Sequence, residues 1–366
     1  MAVDTTPAAR STSLFDQVAN TAHEQVVFGY DPKTGLKAII AIHNTVLGPA
    51  LGGTRMWAYQ SEAEALHDVL RLSRGMTYKS AISGINLGGG KAVIIGNSAT
   101  DKTEALWRRY GKLVDSLGGK YITAEDVGTS PTDIEYVAME TDFVAGKPDY
   151  LGGGGDPSPV TAYGTYLGMK AAAKEAWGTD TLTNKKIMVQ GVGHVGQYLV
   201  DHLTEEGATV LVADINDNNL QAVTSKHNNI TVVPVDDVYS TPMDIYAPCA
   251  LGATLNDDTI PQLTCQIVAG AANNQLKDEV KHGAMLQDRS ILYAPDFLIN
   301  AGGVINCYAE LGDYNRDRAY GYTEKIYDRT REIFHRSAAE KITTHEAALR
   351  IAQQRIDDMA LVNSTL

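Results

Sequence analysis

Alternating apolar and polar positions divide the first part of the chain into short strands and amphipathic helices. The β-branched run Lys37–Val46 predicts a strand, and Ser61, followed by acidic residues, predicts a helix that ends near Tyr78. The same patterns predict strands at Lys91–Ile95 and Lys120–Ala124 and a helix at Asp101–Leu117. Little pattern precedes residue 30, so residues 1–148 are predicted to form one α/β unit that begins with a cap segment.

A glycine- and proline-rich segment, Leu151–Pro159, follows this unit. Its four glycines and two prolines disfavour a continuous helix or strand, so we expect a hinge, with a plain surface loop as the alternative. The next predicted elements are helices at Thr161–Trp177 and His194–Glu206 and strands at Lys186–Gln190, Thr209–Ala213, Thr231–Val233, Asp244–Ala247, Gln266–Ala269 and Ile291–Tyr293. Strands separated by helices predict a parallel, doubly wound sheet.

Beyond Asn300 the pattern becomes mostly helical. The segment His345–Val362 is amphipathic, and we expect it to return to the first domain. The sequence therefore predicts an α/β protein of two domains. The first comprises residues 1–148 with about 336–366, and the second comprises residues 149–335.

A dinucleotide-binding fingerprint, G-x-G-x-x-G, lies between the strand at 186–190 and the following helix. Its residues are Gly191, Val192, Gly193, His194, Val195 and Gly196. The glycines allow a tight turn, a close approach of backbone to a pyrophosphate, and close packing of helix on strand. Asp214 ends the next strand, where a carboxylate suits ribose hydroxyls and favours NAD over NADP. The alternative is an ordinary glycine-rich turn, and His194 is expected to face solvent.

Two lysines and an aspartate are candidates for chemistry in the first region. Lys79 ends a predicted helix and suits a substrate carboxylate, whereas Lys91 follows a run of three glycines that would let backbone approach a ligand. Asp126 follows a strand, where ligands gather in α/β units, and beside Lys91 it would form an acid–base couple. The alternatives are solvated surface lysines and an aspartate that caps a helix or turn.

Composition and charge narrow the choice of partners. The chain has 366 residues, 44% of them apolar, and a formal net charge of −13. This acidity disfavours nucleic acid or an anionic membrane as the partner. No apolar run approaches the ~20 residues that span a bilayer, and the N-terminus shows no secretory signal.

Cysteine usage points to a reducing compartment. The three cysteines, Cys249, Cys265 and Cys307, form no C-x-x-C pair and suggest no disulfide framework. The histidines do not combine with them at zinc-ligand spacing, so no metal is expected. The cytoplasm is therefore the predicted location.

Several long blocks of the chain resemble the glutamate/leucine/phenylalanine/valine dehydrogenase family. They are Gly48–Trp57, Arg74–Lys79, Asn86–Ile95, Tyr121–Thr129, Pro157–Gly164, Asp244–Ala253, Ala269–Leu276 and Tyr293–Asn306. The resemblance extends from about residue 25 to the C-terminal helices. It implies an N-terminal substrate domain, a Rossmann-type NAD domain with a cleft between them, and a homo-oligomer, with an octamer as its stoichiometry.

The resemblance also implies roles for individual residues. Lys91 would polarise a carbonyl or activate water, and Asp126 would exchange protons with the amino group and that water. Lys79 would bind the substrate carboxylate, with help from the backbone of Gly52 and Gly53 and from the amide of Asn273 or Asn274. Thr161 would face the nicotinamide end of NAD, and Asn273 would also contact the cofactor. The side-chain pocket would be lined by Leu51, Ala124, Val304 and Cys307, the last of which is commonly valine in the family.

The implied reaction is the reversible oxidative deamination of L-leucine or another branched-chain aliphatic L-amino acid to a 2-oxo acid and ammonia. A glutamate-specific member would carry lysine at the position of Leu51, because an unpaired, desolvated γ-carboxylate costs several kcal/mol. The order of preference among L-leucine, L-valine and L-isoleucine is not predicted, since one methylene changes the binding free energy by only about 1–3 kcal/mol. A phenylalanine or broad-specificity dehydrogenase and an NAD-binding sensor with an inactive catalytic domain are the alternatives.

Overall fold

The structure is a computed structural model that describes residues 13–364 of the chain. Residue contacts divide the chain into two compact units. Within the described residues, the first unit comprises 13–77 together with Asn86–Lys147, and the second comprises Tyr78–Ile85 together with 148–364. The predicted boundary after residue 148 therefore lies next to the observed one, except that the end of one helix belongs to the second unit.

The first unit is built on a mixed sheet. Its helices are Leu14–Asn20 (α1), Glu62–Ile82 (α2, which continues into the second unit), Glu104–Asp115 (α3) and Pro131–Ala138 (α4). Its strands are Gln25–Asp31 (β1), Leu36–Asn44 (β2), Ala50–Leu51 (β3), Thr54–Trp57 (β4), Gly88–Ile95 (β5) and Tyr121–Ile122 (β6). The sheet order is β1-β2-β5-β3-β6, with β4 also paired to β5. The pairs β1–β2 and β2–β5 are antiparallel, and the others are parallel.

The central strand β2 contributes to apolar cores on both faces of this sheet. Ile40 and Ile42 pack with Trp107 of α3, whereas Ile39 and Ala41 pack with residues of α2. Alternating side chains on a strand point to opposite faces, so a continuous apolar run is what two covered faces require. This explains why the strand prediction at 37–46 is confirmed to within two residues.

Three predictions for the first unit are wrong in detail. The segment before residue 30 was expected to have little pattern, yet it contains α1 and β1; residues 1–12 lie outside the described part of the chain. Helix α2 continues to Ile82, beyond Tyr78, and β5 begins at Gly88, so the glycine run is part of the strand. A β-carbon on Gly88 or Gly89 would lie 2.1 Å from backbone of a neighbouring segment. Close packing within the protein, rather than the approach of a ligand, therefore accounts for these two glycines.

The second unit contains a fully parallel sheet in the order β12-β11-β10-β7-β8-β9. The strands are Lys186–Gln190 (β7), Thr209–Ala213 (β8), Thr231–Val232 (β9), Ile245–Pro248 (β10), Ile267–Val268 (β11) and Leu292–Tyr293 (β12). The helices are Ser158–Trp177 (α5), His194–Glu205 (α6), Asp217–Lys226 (α7), Glu279–Asp288 (α8), Asp296–Ile299 (α9), Gly302–Glu310 (α10), Arg316–Glu340 (α11) and Thr344–Ser364 (α12). The predicted doubly wound fold is confirmed. Because strand order reverses between β7 and β10, the carboxyl end of β7 lies where such sheets bind ligands.

The predicted linker and the C-terminal segment both lie in the second unit. Within Leu151–Pro159, a short helical turn ends at Leu151, Gly152 and Gly155 have positive φ, and α5 already begins at Ser158. A hinge there stays a prediction. The last helix, α12, packs on α11 and α8 of the second unit, and Arg355 donates to the carbonyl oxygen of Ile85. Of the predicted segment 336–366, the described residues up to 364 are therefore grouped with the second unit rather than the first, and the predicted part of this segment in oligomerisation stays a prediction.

Two buried histidines form a polar cluster inside the first unit. His23 Nε2 lies 2.7 Å from Ser73 Oγ, and His43 Nδ1 lies 2.8 Å from Thr77 Oγ1. The two rings meet edge to face, with centroids 4.8 Å apart. Burial, with the neighbouring His43, lowers the pKa of His23 to about 4. Burial, with the guanidinium of Arg74, lowers the pKa of His43 to about 4.

Acidification from about pH 7 to about pH 4 is expected to lower the free energy of unfolding. The unfolded chain takes up protons at these rings near pH 6.5, whereas the folded chain does so only near pH 4. A pKa difference of one unit between the folded and unfolded chain corresponds to ~1.4 kcal/mol. Protonation of each ring should therefore lower the free energy of unfolding by a few kcal/mol. Urea unfolding of the wild type and of His43→Gln at both pH values measures the effect. The variant should lose less stability on acidification, and an equal loss in both proteins would contradict the assignment.

Candidate active site

The fingerprint residues form the turn between β7 and α6. Gly191 has a φ of 97°, which favours glycine, and a β-carbon on Gly196 would lie 2.1 Å from the carbonyl oxygen of Gly191. Gly193 is the N-cap of α6, has no side chain to cap the helix, and faces open space where a β-carbon would be. The N–H groups of the first turn are thus open to an anion, as dinucleotide binding requires. His194 is exposed, as predicted.

Asp214 is held in place directly after β8. Its Oδ2 accepts a hydrogen bond from Val192 N–H at 2.8 Å, and its Oδ1 accepts one from Asn216 N–H at 2.8 Å. The side-chain amide of Asn219 is a further donor to Oδ2, at 3.2 Å. The carboxylate is therefore fixed beside the fingerprint turn, which is the position that the sequence predicted for a ribose ligand.

Lys91 and Asp126 form an ion pair in the first unit. Lys91 Nζ lies 3.1 Å from Asp126 Oδ1, and the side chains are 7% and 22% exposed. Lys91 lies in the middle of β5, opposite Ala41 of β2, so it is not a solvated surface lysine. The structure therefore brings together the predicted acid–base couple.

The local structure also decides between the two interpretations of Asp126. The backbone of Asp126 forms a tight turn with Thr129, whose Oγ1 accepts the Asp126 N–H at 2.7 Å. The N-cap of α4 is Ser130, not Asp126. The Asp126 carboxylate is thus left to interact with cations, and this geometry favours the chemical interpretation over a capping role.

Sequence reasoning assigned no role to Arg55, which is the second cation on Asp126. Arg55 lies on β4, and its Nε donates to Asp126 Oδ2 at 2.9 Å. A single cation between the buried residues Thr54 and Met56 is the sequence signal that could have identified it. Asp126 therefore binds one cation on each of its two oxygens.

These cations determine the protonation of Asp126. Burial alone would raise the pKa of this carboxyl, but the charges of Lys91 and Arg55 outweigh it and hold the pKa below its ordinary value. Asp126 is thus a carboxylate near neutral pH. A carboxylate beside an ammonium group can accept a proton from a bound molecule while the cation stabilises a developing negative charge.

Lys79 is placed in the last turn of α2, within the second unit, next to a predicted partner. Its Nζ donates to Asn273 Oδ1 at 3.0 Å, and Asn300 Nδ2 donates to the same oxygen at 2.9 Å. Asn274 adopts a positive φ of 53°, and its carbonyl oxygen accepts a hydrogen bond from Ala253 N–H. Lys79 and Asn273 are thus in contact, while the carboxylate-binding role of Lys79 stays a prediction.

Gly52 and Gly53 are required by close backbone contacts. A β-carbon on Gly52 would lie 1.7 Å from the carbonyl oxygen of Gly90, and one on Gly53 would lie 2.1 Å from that of Glu125. The hydroxyl of Tyr121 donates to the carbonyl oxygen of Gly52. Gly52 therefore lets the β3–β4 connection pack against the strand that carries Lys91, and Gly53 lets it pack against the segment that carries Asp126.

The predicted pocket residues are divided between the units. Leu51 and Ala124 are buried in the first unit, at 2% and 5% exposure. Val304 and Cys307 lie on α10 in the second unit, the former buried and the latter partly exposed. Thr161, in the first turn of α5, is partly exposed, and its hydroxyl donates to the carbonyl oxygen of Pro157 at 3.0 Å. Their predicted roles stay predictions.

Residues 13–364 contain no cluster of three or more histidine, cysteine, aspartate or glutamate side chains able to hold a metal ion. In the same residues no helix combines the length and the apolarity that crossing a bilayer would need.

Both units match a known family of enzymes. Residues 23–143 match the sequence model of the Glu/Leu/Phe/Val dehydrogenase dimerisation domain. Residues 152–219 and 210–362 match that of Glutamate/Leucine/Phenylalanine/Valine dehydrogenase. The chain therefore belongs to this family of amino-acid dehydrogenases, and it is an oxidoreductase. The resemblance that the sequence predicted is confirmed.

Individual relatives are similar over almost the whole chain. Leucine dehydrogenase of Bacillus cereus is 53% identical over 352 residues, which are 96% of either chain. Phenylalanine dehydrogenase of Lysinibacillus sphaericus is 46% identical over 96% of this chain and 92% of its own. The crystal structure of L-tryptophan dehydrogenase from Nostoc punctiforme superposes with a TM-score of 0.84 at 45% identity, covering 95% of this chain and 99% of that one.

Proposed function

We propose that this chain catalyses the reversible NAD-dependent oxidative deamination of L-leucine and other branched-chain aliphatic L-amino acids. The products are the 2-oxo acid, ammonia and NADH. The observation that carries the chemistry is the buried contact of Lys91 with Asp126. The substrate class is supported by similarity to leucine dehydrogenases at 52–54% identity, against 46% for phenylalanine dehydrogenases.

The proposed roles follow the charges of the side chains. Lys79 binds the substrate carboxylate, and NAD, held by the fingerprint turn and Asp214, would supply the acceptor for the hydride that leaves Cα. Asp126 accepts a proton from the substrate amino group as the imine forms. Lys91 activates the water that adds to the imine and stabilises the oxygen as negative charge develops on it. The resulting carbinolamine loses ammonia and leaves the 2-oxo acid.

The residues around the fingerprint fit a dinucleotide. The open space at Gly193 and the uncapped N–H groups of α6 suit a pyrophosphate. The fixed carboxylate of Asp214 suits the two ribose hydroxyls and would repel a 2′-phosphate, which favours NAD over NADP. Thr161 stays our candidate for the nicotinamide end, and Asn273 our candidate for a further contact with the cofactor.

Replacing Asp214 by alanine is expected to weaken NAD binding by about 10- to 100-fold, because charge-assisted hydrogen bonds contribute about 1.5–3 kcal/mol. NADP should lose little affinity, because its 2′-phosphate gains nothing from a carboxylate. Titration of each cofactor by NADH and NADPH fluorescence measures the two constants. Asp217→Asn, a change at the exposed start of α7, is the matched control. Equal losses for both cofactors would contradict the ribose assignment.

Leu51 is the residue that argues against dicarboxylic substrates. Its side chain is apolar and 2% exposed, so it offers no partner to a γ-carboxylate. The order of leucine, valine and isoleucine is left to measurement, since these side chains differ by about one methylene.

A substrate panel read by NADH absorbance tests the proposal. With NAD, we expect turnover of L-leucine, L-valine and L-isoleucine and little turnover of L-glutamate. Faster turnover of L-phenylalanine than of the aliphatic substrates would favour the alternative of a phenylalanine or broad-specificity dehydrogenase. Bound NAD without turnover of any amino acid would favour a sensor with an inactive catalytic domain.

We also propose a homo-octamer in the cytoplasm. The match of residues 23–143 to a dimerisation domain supports self-association, whereas the octamer rests on the family resemblance. Cys249 and Cys265 form no disulfide, which fits a reducing compartment. Sedimentation velocity measures the number of subunits.

A further inference from the structure

Arg55 connects the candidate acid–base couple to a second carboxylate. One nitrogen of its guanidinium, Nε, donates to Asp126 Oδ2, and another, Nη1, donates to Asp68 Oδ2 on α2, each at 2.9 Å. Tyr59 donates its hydroxyl to the same Asp68 oxygen at 2.8 Å, and Arg71 donates to the other at 2.9 Å. Asp68 is thus fixed by three donors, and it fixes Arg55 in turn.

The two oxygens of Asp126 have different partners. Oδ1 faces Lys91 at 3.1 Å, whereas Oδ2 is held by Arg55. In the proposed reaction Lys91 has to interact with the substrate and with water, so it cannot also keep the carboxylate in one orientation. Arg55 has no such second task, and its position is fixed by Asp68 on the opposite side.

We propose that Arg55, held by Asp68, is a positioning residue that fixes Asp126 through Oδ2 and leaves Oδ1 as the oxygen that exchanges the proton. Both oxygens accept from a charged donor, but the reaction draws Lys91 towards the substrate and water, whereas Arg55 keeps its contact with Oδ2 throughout. The proton from the substrate amino group therefore arrives at Oδ1, on the side of Lys91. This inference rests on the proposed function, because it assumes that Asp126 exchanges protons with an amino acid.

The setting distinguishes this ion pair from ordinary surface pairs. Arg55 and Asp126 are each 22% exposed and Asp68 is 15% exposed, whereas Arg71, at the rim of the network, is 47% exposed. Exposed ion pairs contribute little, but a partly buried guanidinium that bridges two carboxylates holds a definite geometry. Lysine cannot replace arginine in this role, since a single ammonium group lacks the planar fork that reaches two carboxylates.

Several groups face Asp126 within the first unit. Lys91 approaches from β5, Arg55 from β4, and Thr129 from the turn that follows. Asp68 and Tyr59 belong to the same network, in which Asp68 accepts hydrogen bonds from Arg55 and from the hydroxyl of Tyr59. Of the charged groups, Lys91 and Arg55 both favour the carboxylate form. Loss of Arg55 must therefore raise the pKa of Asp126, which changes the pH dependence of the reaction as well as its rate.

The test compares the pH profiles of kcat/KM for Arg55→Gln, Arg55→Lys, Asp68→Asn and the wild type. One limb of each profile, a pH range over which kcat/KM changes, reflects the titration of Asp126. It is identified as the limb that is missing in Asp126→Asn. In Arg55→Gln this limb should move to higher pH by about one unit, and kcat should fall by about 10- to 100-fold with little change in KM. Arg55→Lys should keep the limb near its wild-type position, because the charge remains, yet lower kcat about tenfold.

Asp68→Asn keeps the charge of Arg55 and removes only its anchor. It should lower kcat by roughly 3- to 10-fold without moving the limb upward, so the inference can be judged even if Arg55→Gln does not fold. Arg108→Gln is the matched control. This arginine also bridges two carboxylates, those of Glu104 on α3 and Glu140 just after α4. Its profile should equal that of the wild type.

Two results separate the inference from the proposed function. In the first, the wild type turns over amino acids, and either Arg55→Gln or both Arg55→Lys and Asp68→Asn keep the wild-type kcat and pH profile. The positioning role of Arg55 is then wrong, while the proposed function stands. If the wild type binds NAD but turns over no amino acid, the proposed function fails, and the inference fails with it.

Discussion

Replacing Lys91 by alanine is expected to lower kcat by about 10³-fold, within the ~10²–10⁴-fold range of general acid–base groups. Lys91 is 7% exposed and contacts Asp126 Oδ1, so the substitution removes the cation from that side of the carboxylate. NAD binding should be retained, because the fingerprint lies in the other unit. Steady-state turnover of L-leucine and NADH titration measure the two quantities.

The control for this variant is Lys102→Ala. Lys102 also pairs with an aspartate of the first unit, Asp133, but at the start of α4 and away from Asp126. Its loss should change thermal stability and leave kcat within about twofold, since breaking an ion pair without a chemical role costs stability alone. Near-normal turnover in Lys91→Ala would remove Lys91 from the mechanism.

Replacing Asp126 by asparagine is expected to lower kcat by about 10³-fold as well, because the amide keeps the shape of the side chain but cannot accept a proton. It also leaves Lys91 and Arg55 without their shared anion, so the folded protein should lose roughly 3 kcal/mol, as when one partner of a buried ion pair is removed. Turnover and urea unfolding report the two effects separately.

The double variant Lys91→Ala, Asp126→Asn tests whether the two groups act as one unit. Because the two side chains form an ion pair, the effects of the two substitutions should be strongly non-additive, and kcat of the double variant should lie within about tenfold of that of the slower single variant. Rate losses that multiply would show that the two side chains act independently of their contact.

The second unit was the more predictable one. Strands β7 and β8 have the predicted limits, and α6 differs from its prediction by one residue at its end. Their signals are local: buried parallel strands are continuous apolar runs, and the glycines of a strand–turn–helix connection must lie at fixed spacing. The short strands β9 and β11 were also located, although their limits were one or two residues too wide.

The first unit was less predictable, because its sheet is assembled from short and distant pieces. Strands β3 and β4 have two and four residues and were missed, as was β1, whose residues are partly exposed on both faces. Such strands have little pattern of their own and are defined by pairing with β5 and β2. Tertiary context decides the structure of segments of this kind.

The residues of the candidate site likewise divide into those that the sequence predicted and those that only the structure revealed. Lys91 and Asp126 were recognised because unusual neighbours marked them, and the structure brings them together. Arg55 was missed, although it lies in a block that resembles the family, since an arginine on a strand shows nothing of its partner. Its contact with Asp126 spans 71 residues of sequence.

The sequence by itself determined the family and the doubly wound sheet of the second unit, because both depend on residue types at local spacing, and it named Lys91 and Asp126 as a candidate pair. Only the tertiary structure decided which oxygen of Asp126 meets which cation, and why Gly88 and Gly89 must be glycine. These features depend on distances between segments that are remote in the chain. Such distances are set by the packing of all the segments together, which no local pattern records.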